Sequence, residues 1–104
     1  MSERLSTLRE RCMSLPEVTE ENPWGDIAWK TKGKMFAVTG ESAEAVTVKA
    51  TLEQQMVLVQ LPHIRVAKYV GRYGWVTVDL ADRDSLEIAL DLIQESYRLV
   101  RGKK

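Results

Sequence analysis

Near the end of the chain, Leu86, Ala89, Leu90, Ile93, Tyr97 and Val100 recur at three- and four-residue steps and trace one face of a helix. Asp84-Ser85-Leu86-Glu87 precedes them as a capping-box pattern, with Asp84 as the cap and Glu87 three residues on. Arg98 and Arg101 in the last turn complement the helix dipole, and Gly102 supplies a stop. A helix apolar along one face needs a second layer to cover it, so the rest of the chain must supply that layer.

The middle of the chain provides it. Ile27–Thr31 and Met35–Thr39 are strand-like and flank Lys32-Gly33-Lys34, a hairpin pattern. After a turn at Gly40–Glu44, Val46-Thr47-Val48-Lys49 alternates apolar and polar residues as a half-buried strand does, which places Lys49 with Thr47 on the open face. Thr51 caps a short helix carrying Leu52, Met56 and Val59, and Pro62 closes it. Ile64–Val70 and Trp75–Leu80 form a second hairpin around Gly71-Arg72-Tyr73-Gly74. At the start, Ser2 caps a helix with Leu5, Leu8, Cys12 and Leu15 on one stripe, ended by Pro16; the stretch from Glu17 to Gly25 reads as a loop. The expectation is a single α+β domain over residues 1–104, a two-layer arrangement in the order α-βββ-α-ββ-α. Helices cover one face of a five-stranded antiparallel sheet, and the other face is left wet.

The 104 residues suffice for one core without staples, and a lone cysteine, Cys12, excludes an intrachain disulfide. Residues 2–11 do not form a signal peptide, and no run nears the roughly 18–20 apolar residues that span a bilayer, so a cytoplasmic protein with no membrane partner is expected. Net charge is zero, which weighs against strong non-specific binding to nucleic acid by the whole molecule. The charge is unevenly spread, however. Residues 28–72 carry seven basic and three acidic side chains, whereas residues 1–27 carry three basic and six acidic.

No catalytic or metal-ligand pattern emerges, so no enzyme, no metal and no cofactor are expected. His63 is the single histidine, which leaves no His pair and no Ser-His-Asp set. Glu17, Glu20, Glu21 and Asp26 read as a solvated acidic loop, Cys12 as inert core, and Trp29 and Trp75 as packing; Trp24, between Pro23 and Gly25, is the tryptophan best placed to line a groove.

Three stretches together resemble the MmcQ/YjbR family. They are Leu15-Pro16-Glu17-Val18-Thr19-Glu20-Glu21-Asn22-Pro23-Trp24-Gly25 with Trp29-Lys30 and Gly33-Lys34-Met35-Phe36-Ala37; then Val48-Lys49; then Ala67 and Tyr69 through Trp75-Val76-Thr77-Val78 to Ser96-Tyr97-Arg98-Leu99-Val100. The resemblance implies a two-layer α+β fold and a DNA-binding protein whose two β-hairpins form a double wing. One departure is Asp26, where similar proteins often carry histidine. With the basic middle segment, this makes Lys30, Lys32, Lys34, Lys49, Arg65, Lys68 and Arg72 the candidate phosphate contacts, with Tyr73 beside Arg72 as a candidate base-stacking ring. The alternative is a protein-interaction domain like the small secretion chaperones, or a weak homodimer. It rests on the neutral charge and on Ile88, Leu92 and Leu99, which widen the apolar face of the last helix.

Overall fold

The last helix is α3, Arg83–Val100, in a computed structural model that describes residues 3–22 and 25–102. Its cap is Asp82, two residues before the expected Asp84: the Asp82 carboxylate accepts from the Ser85 N–H at 2.9 Å, and the Ser85 hydroxyl accepts from the Asp82 N–H at 3.0 Å. Asp84 instead lies in the first turn, where its charge suits the dipole. Ala89, Ile93, Ser96 and Tyr97 are buried against the sheet, and Gly102 takes the left-handed conformation that ends the helix.

The other elements are α1 (Glu3–Met13), β1 (Val18–Glu21), β2 (Ile27–Thr31), β3 (Lys34–Thr39), β4 (Ala45–Val48), α2 (Leu52–Leu58), β5 (Ile64–Val66) and β6 (Val76–Asp79). The Ser2 cap falls outside the described residues, whereas Thr51 caps α2 as expected, accepting from the Gln54 N–H at 3.0 Å. No helix among the described residues is long and apolar enough to cross a membrane.

The sheet has six strands, not five, in the spatial order β1-β2-β3-β4-β6-β5, with every neighbouring pair antiparallel. The added strand is β1, where a loop was expected. Val-Thr-Glu-Glu ends in two residues disfavoured in strands and lies between Pro16 and Pro23, so its local signals point to a loop. Its alternation is nonetheless that of an edge strand: Val18 and Glu20 turn inward, Thr19 and Glu21 outward. Pairing along β2 overrides propensity, because the inward Glu20 is fully partnered. It accepts from the Arg9 guanidinium at 2.8 and 3.0 Å and from the Trp29 indole N–H at 3.0 Å.

α3 crosses β3, β4 and β6, α1 packs beside it and against β1, and α2 lies toward β5. The covered face carries Trp29, Ala37, Val46, Val48, Val76, Val78 and Ile64. Between the pairs Trp29–Ala37 and Lys30–Met35, β3 holds one extra residue, Phe36. The bulge turns both Phe36 and Ala37 into the core, where the Phe36 ring meets Tyr97 edge-on at 5.4 Å. The Phe36 carbonyl lies within reach of α3. The fully buried Ser96 hydroxyl donates to that carbonyl at 2.6 Å and accepts from the Lys49 N–H at 2.9 Å, tying α3 to β3 and to the residue that follows β4.

Candidate nucleic-acid interface

Antiparallel pairing decides where the basic residues end up. β2, β4 and β5 run in one direction, and β3 and β6 in the other. The β2–β3 turn and the β5–β6 connection therefore leave the sheet at the same end. Three strand spacings separate their midlines in the spatial order, roughly 14 Å at the usual inter-strand distance.

The first turn is Thr31-Lys32-Gly33-Lys34, with Thr31 paired to Lys34 and both central residues left-handed (φ 54° and 79°). That is the pattern of a two-residue type I′ hairpin, whose twist matches the strands it joins. Lysine at the first central position is unusual there, and it holds the Lys32 ammonium at the apex.

The second connection is not the tight hairpin expected. β5 ends at Val66 and β6 begins at Val76, so residues 67–75 form a nine-residue loop containing a short 3₁₀ turn at Gly71–Tyr73. Packing sets this length. Gly74 (φ 102°) sits so close to the Ala50 carbonyl that an added Cβ would meet its oxygen at 2.1 Å. Gln55 of α2 donates to the carbonyls of Gly71 and Trp75 at 2.7 and 2.9 Å. The loop's base is thus clipped to α2, and its outer part carries Lys68, Tyr69, Arg72 and Tyr73.

The seven expected cations divide into two groups. Lys30 lies on the open face, 3.0 Å from the Glu21 carboxylate. Arg65 is on the same face and forms a two-pronged pair with Asp79 at 2.9 and 3.4 Å, which holds the Asp79 carboxyl below its ordinary range. Lys49 is not on the open face with Thr47; it lies beyond the end of β4 and lines the groove between α2 and α3. Lys32, Lys34, Lys68 and Arg72 remain at the turn end, and none takes part in an ion pair among the described residues. The Arg72 guanidinium lies over the Tyr73 ring at 5.1 Å, and Tyr73 is half exposed rather than packed on the sheet.

Charge is segregated along the strands as a result. The turn end also receives the C-terminal turn of α3, with Arg98 paired to Glu95 and Arg101 to Glu17. At the opposite end, the 40–44 turn and the start of α3 bring Glu41, Glu44, Asp82 and Asp84, against the one cation Arg83 in those two segments. The open face between is closed on itself by Glu21–Lys30, Arg65–Asp79 and a Thr47–Thr77 hydroxyl pair at 2.9 Å.

The described residues with other candidate chemistry have structural roles. Glu20 and Glu21 sit on a strand, not in an acidic loop. Arg9 and the Trp29 indole keep the Glu20 carboxyl below its usual range. Burial pushes the Cys12 thiol up to about 12, leaving it protonated at neutral pH. Trp29 is fully buried, and Trp24 lies outside the described residues. Among the described residues, no three His, Cys, Asp or Glu side chains group to hold a metal ion. A groove of about 380 Å³ between α2 and α3 is lined by Ala50, Glu53, Val57, Leu58, Leu92 and Glu95, among others.

Sequence reasoning passed over Tyr69, which is 94% exposed at the top of the second loop. Reading Ile64–Val70 as a strand hid it, because a strand residue two from a glycine turn would alternate in and out rather than cap a turn.

A sequence profile of the YjbR family matches residues 13–99. No curated protein matches the chain at a significant level.

Proposed function

Because this chain belongs to the YjbR family, we propose that it binds nucleic acid as a double wing, holding phosphates at the end of the sheet where both turns emerge. Lys32 and Lys34 act from the first wing, Lys68 and Arg72 from the second. The single observation carrying this reading is that antiparallel topology sends two lysine- and arginine-bearing turns out of one sheet end, with those four cations outside every ion pair of the described residues. Lys30 and Arg65 are already paired with Glu21 and Asp79 on the open face, and Lys49 belongs to the α2–α3 groove. Contact is to the backbone and its shape, since phosphate contacts position a protein without reading sequence.

Charge reversal tests the assignment. Fluorescence anisotropy with a labelled oligonucleotide should lose its binding signal in the double variant Lys32→Glu/Arg72→Glu, while circular dichroism stays unchanged. Undiminished binding by that variant refutes the wing assignment.

A second reading has its own observation. α2 buries none of its residues, and Leu52, Met56 and Val57 are exposed beside the α2–α3 groove. A protein partner or a second copy covering that surface would make this a protein-interaction domain. A sedimentation profile that stays monomeric across a hundredfold concentration range removes the self-association half of this reading.

A further inference from the structure

The second wing carries a feature that phosphate binding does not use. The Val70 N–H donates to the Lys68 carbonyl at 2.6 Å, closing a three-residue turn with Tyr69 at its apex. Tyr69 has φ 68°, a left-handed conformation that is strained for a bulky side chain, and turns of this kind are rare. The ring stands in solvent, 94% exposed. Such strain persists only where the surroundings enforce it, and it collects at ligand-binding segments. Here Gln55 and the close approach of Gly74 to Ala50 fix the base of the loop. Tyr73, four residues on, is already engaged under the Arg72 guanidinium.

Resting on the double-wing reading, we infer that Tyr69 stacks on an unpaired base, so that the preferred ligand is single-stranded nucleic acid. Duplex bases already cover each other's faces, and a protein ring reaches one only after unstacking its neighbour. A single strand presents those faces without that cost, and stacking tolerates every base because each has a π-face. Lys68 next to Tyr69 and Arg72 three residues on are set to take the phosphates flanking the stacked nucleotide. The first wing carries lysines but no aromatic residue at its turn, so stacking is confined to one wing and the other supplies charge alone.

The test measures anisotropy with a labelled oligothymidine and with a duplex of equal length at one salt concentration. Tyr69→Ala should weaken single-strand binding about tenfold, the effect of losing one stacked base, and leave duplex binding unchanged. Tyr69→Phe, which keeps the ring, should retain single-strand affinity. Loss of equal size on both ligands, or no loss on either while Lys32→Glu/Arg72→Glu abolishes binding, overturns the stacking inference and leaves the wings standing. If the unaltered protein binds neither ligand, both fall.

Discussion

Salt dependence counts the phosphates that a bound protein neutralises, so it separates the cations the chain possesses from those the fold makes available. Seven candidate cations acting together would give a slope of log affinity against log salt near −6.3, and each doubling of salt would weaken duplex binding about eightyfold. With Lys30 held by Glu21, Arg65 by Asp79 and Lys49 in the α2–α3 groove, Lys32, Lys34, Lys68 and Arg72 remain. Four give a slope near −3.6 and about a twelvefold loss per doubling. The assay is anisotropy with a labelled duplex over a fourfold range of potassium chloride. Lys32→Gln or Lys68→Gln should each make the slope shallower by about 0.9. The double variant Lys30→Gln/Glu21→Gln, which removes a pair without exposing its acid, should leave the slope where it was. A slope near −6 in the unaltered protein, or a full unit lost in that double variant, would show that the open face binds phosphate and that Glu21 and Asp79 do not withhold Lys30 and Arg65 from it.

Other consequences concern stability. Ser96→Ala strands the Phe36 carbonyl and the Lys49 N–H in a buried setting and should cost about 2–3 kcal/mol in urea unfolding; a loss under 0.5 kcal/mol would mean the two groups find other partners. Gly74→Ala combines a strained φ with a backbone overlap at Ala50 and should cost about 3 kcal/mol or more, whereas Gly33→Ala, with nothing near its missing Cβ, should cost only the turn strain of about 1 kcal/mol. Equal losses at the two glycines would show that the close approach to Ala50 has no energetic weight. Arg9 and the Trp29 indole lower the folded-state Glu20 pKa. The stabilisation this gives is therefore full above the ordinary glutamate value of 4.5 and fades as pH falls through the lower folded value. Thermal melts from pH 6 to pH 2 should show Glu20→Gln with a shallower acid loss than the unaltered chain, and parallel curves would contradict the pairing.

The readable parts of the fold were those whose signal is local and periodic. The α3 stripe, the alternation of β4, the Thr51 cap and the Lys-Gly turn each follow from residues within a few positions of one another. The cap of α3 slid from Asp84 to Asp82 because the run Asp82-Arg83-Asp84-Ser85 offers two acids at helix-starting positions, and only the hydrogen bonds decide between them. β1 escaped because its stability lies in partners far along the chain: the ladder to β2, and Arg9 and Trp29 around Glu20. Val70 and Tyr69 look like strand residues, yet the close packing of Gly71 on Val66 and Gly74 on Ala50 makes them loop. At the candidate interface the types of residue were legible and their availability was not. Glu21 reaches Lys30 and Asp79 reaches Arg65 as diagonal neighbours across paired strands, a relation that exists only once the register is set.

The lengthwise sorting of charge also bears on how such a molecule arrives at a polyanion. With zero net charge it feels little overall pull, but a body positive at one pole and negative at the other feels a torque. On the double-wing proposal, such a torque would turn its Lys32 and Arg72 pole toward a phosphate backbone before contact, and its Glu41 and Asp84 pole away. Orientation would then be settled during approach rather than by trial contacts, giving a neutral protein a directional preference without the self-repulsion that a uniformly basic surface would bring.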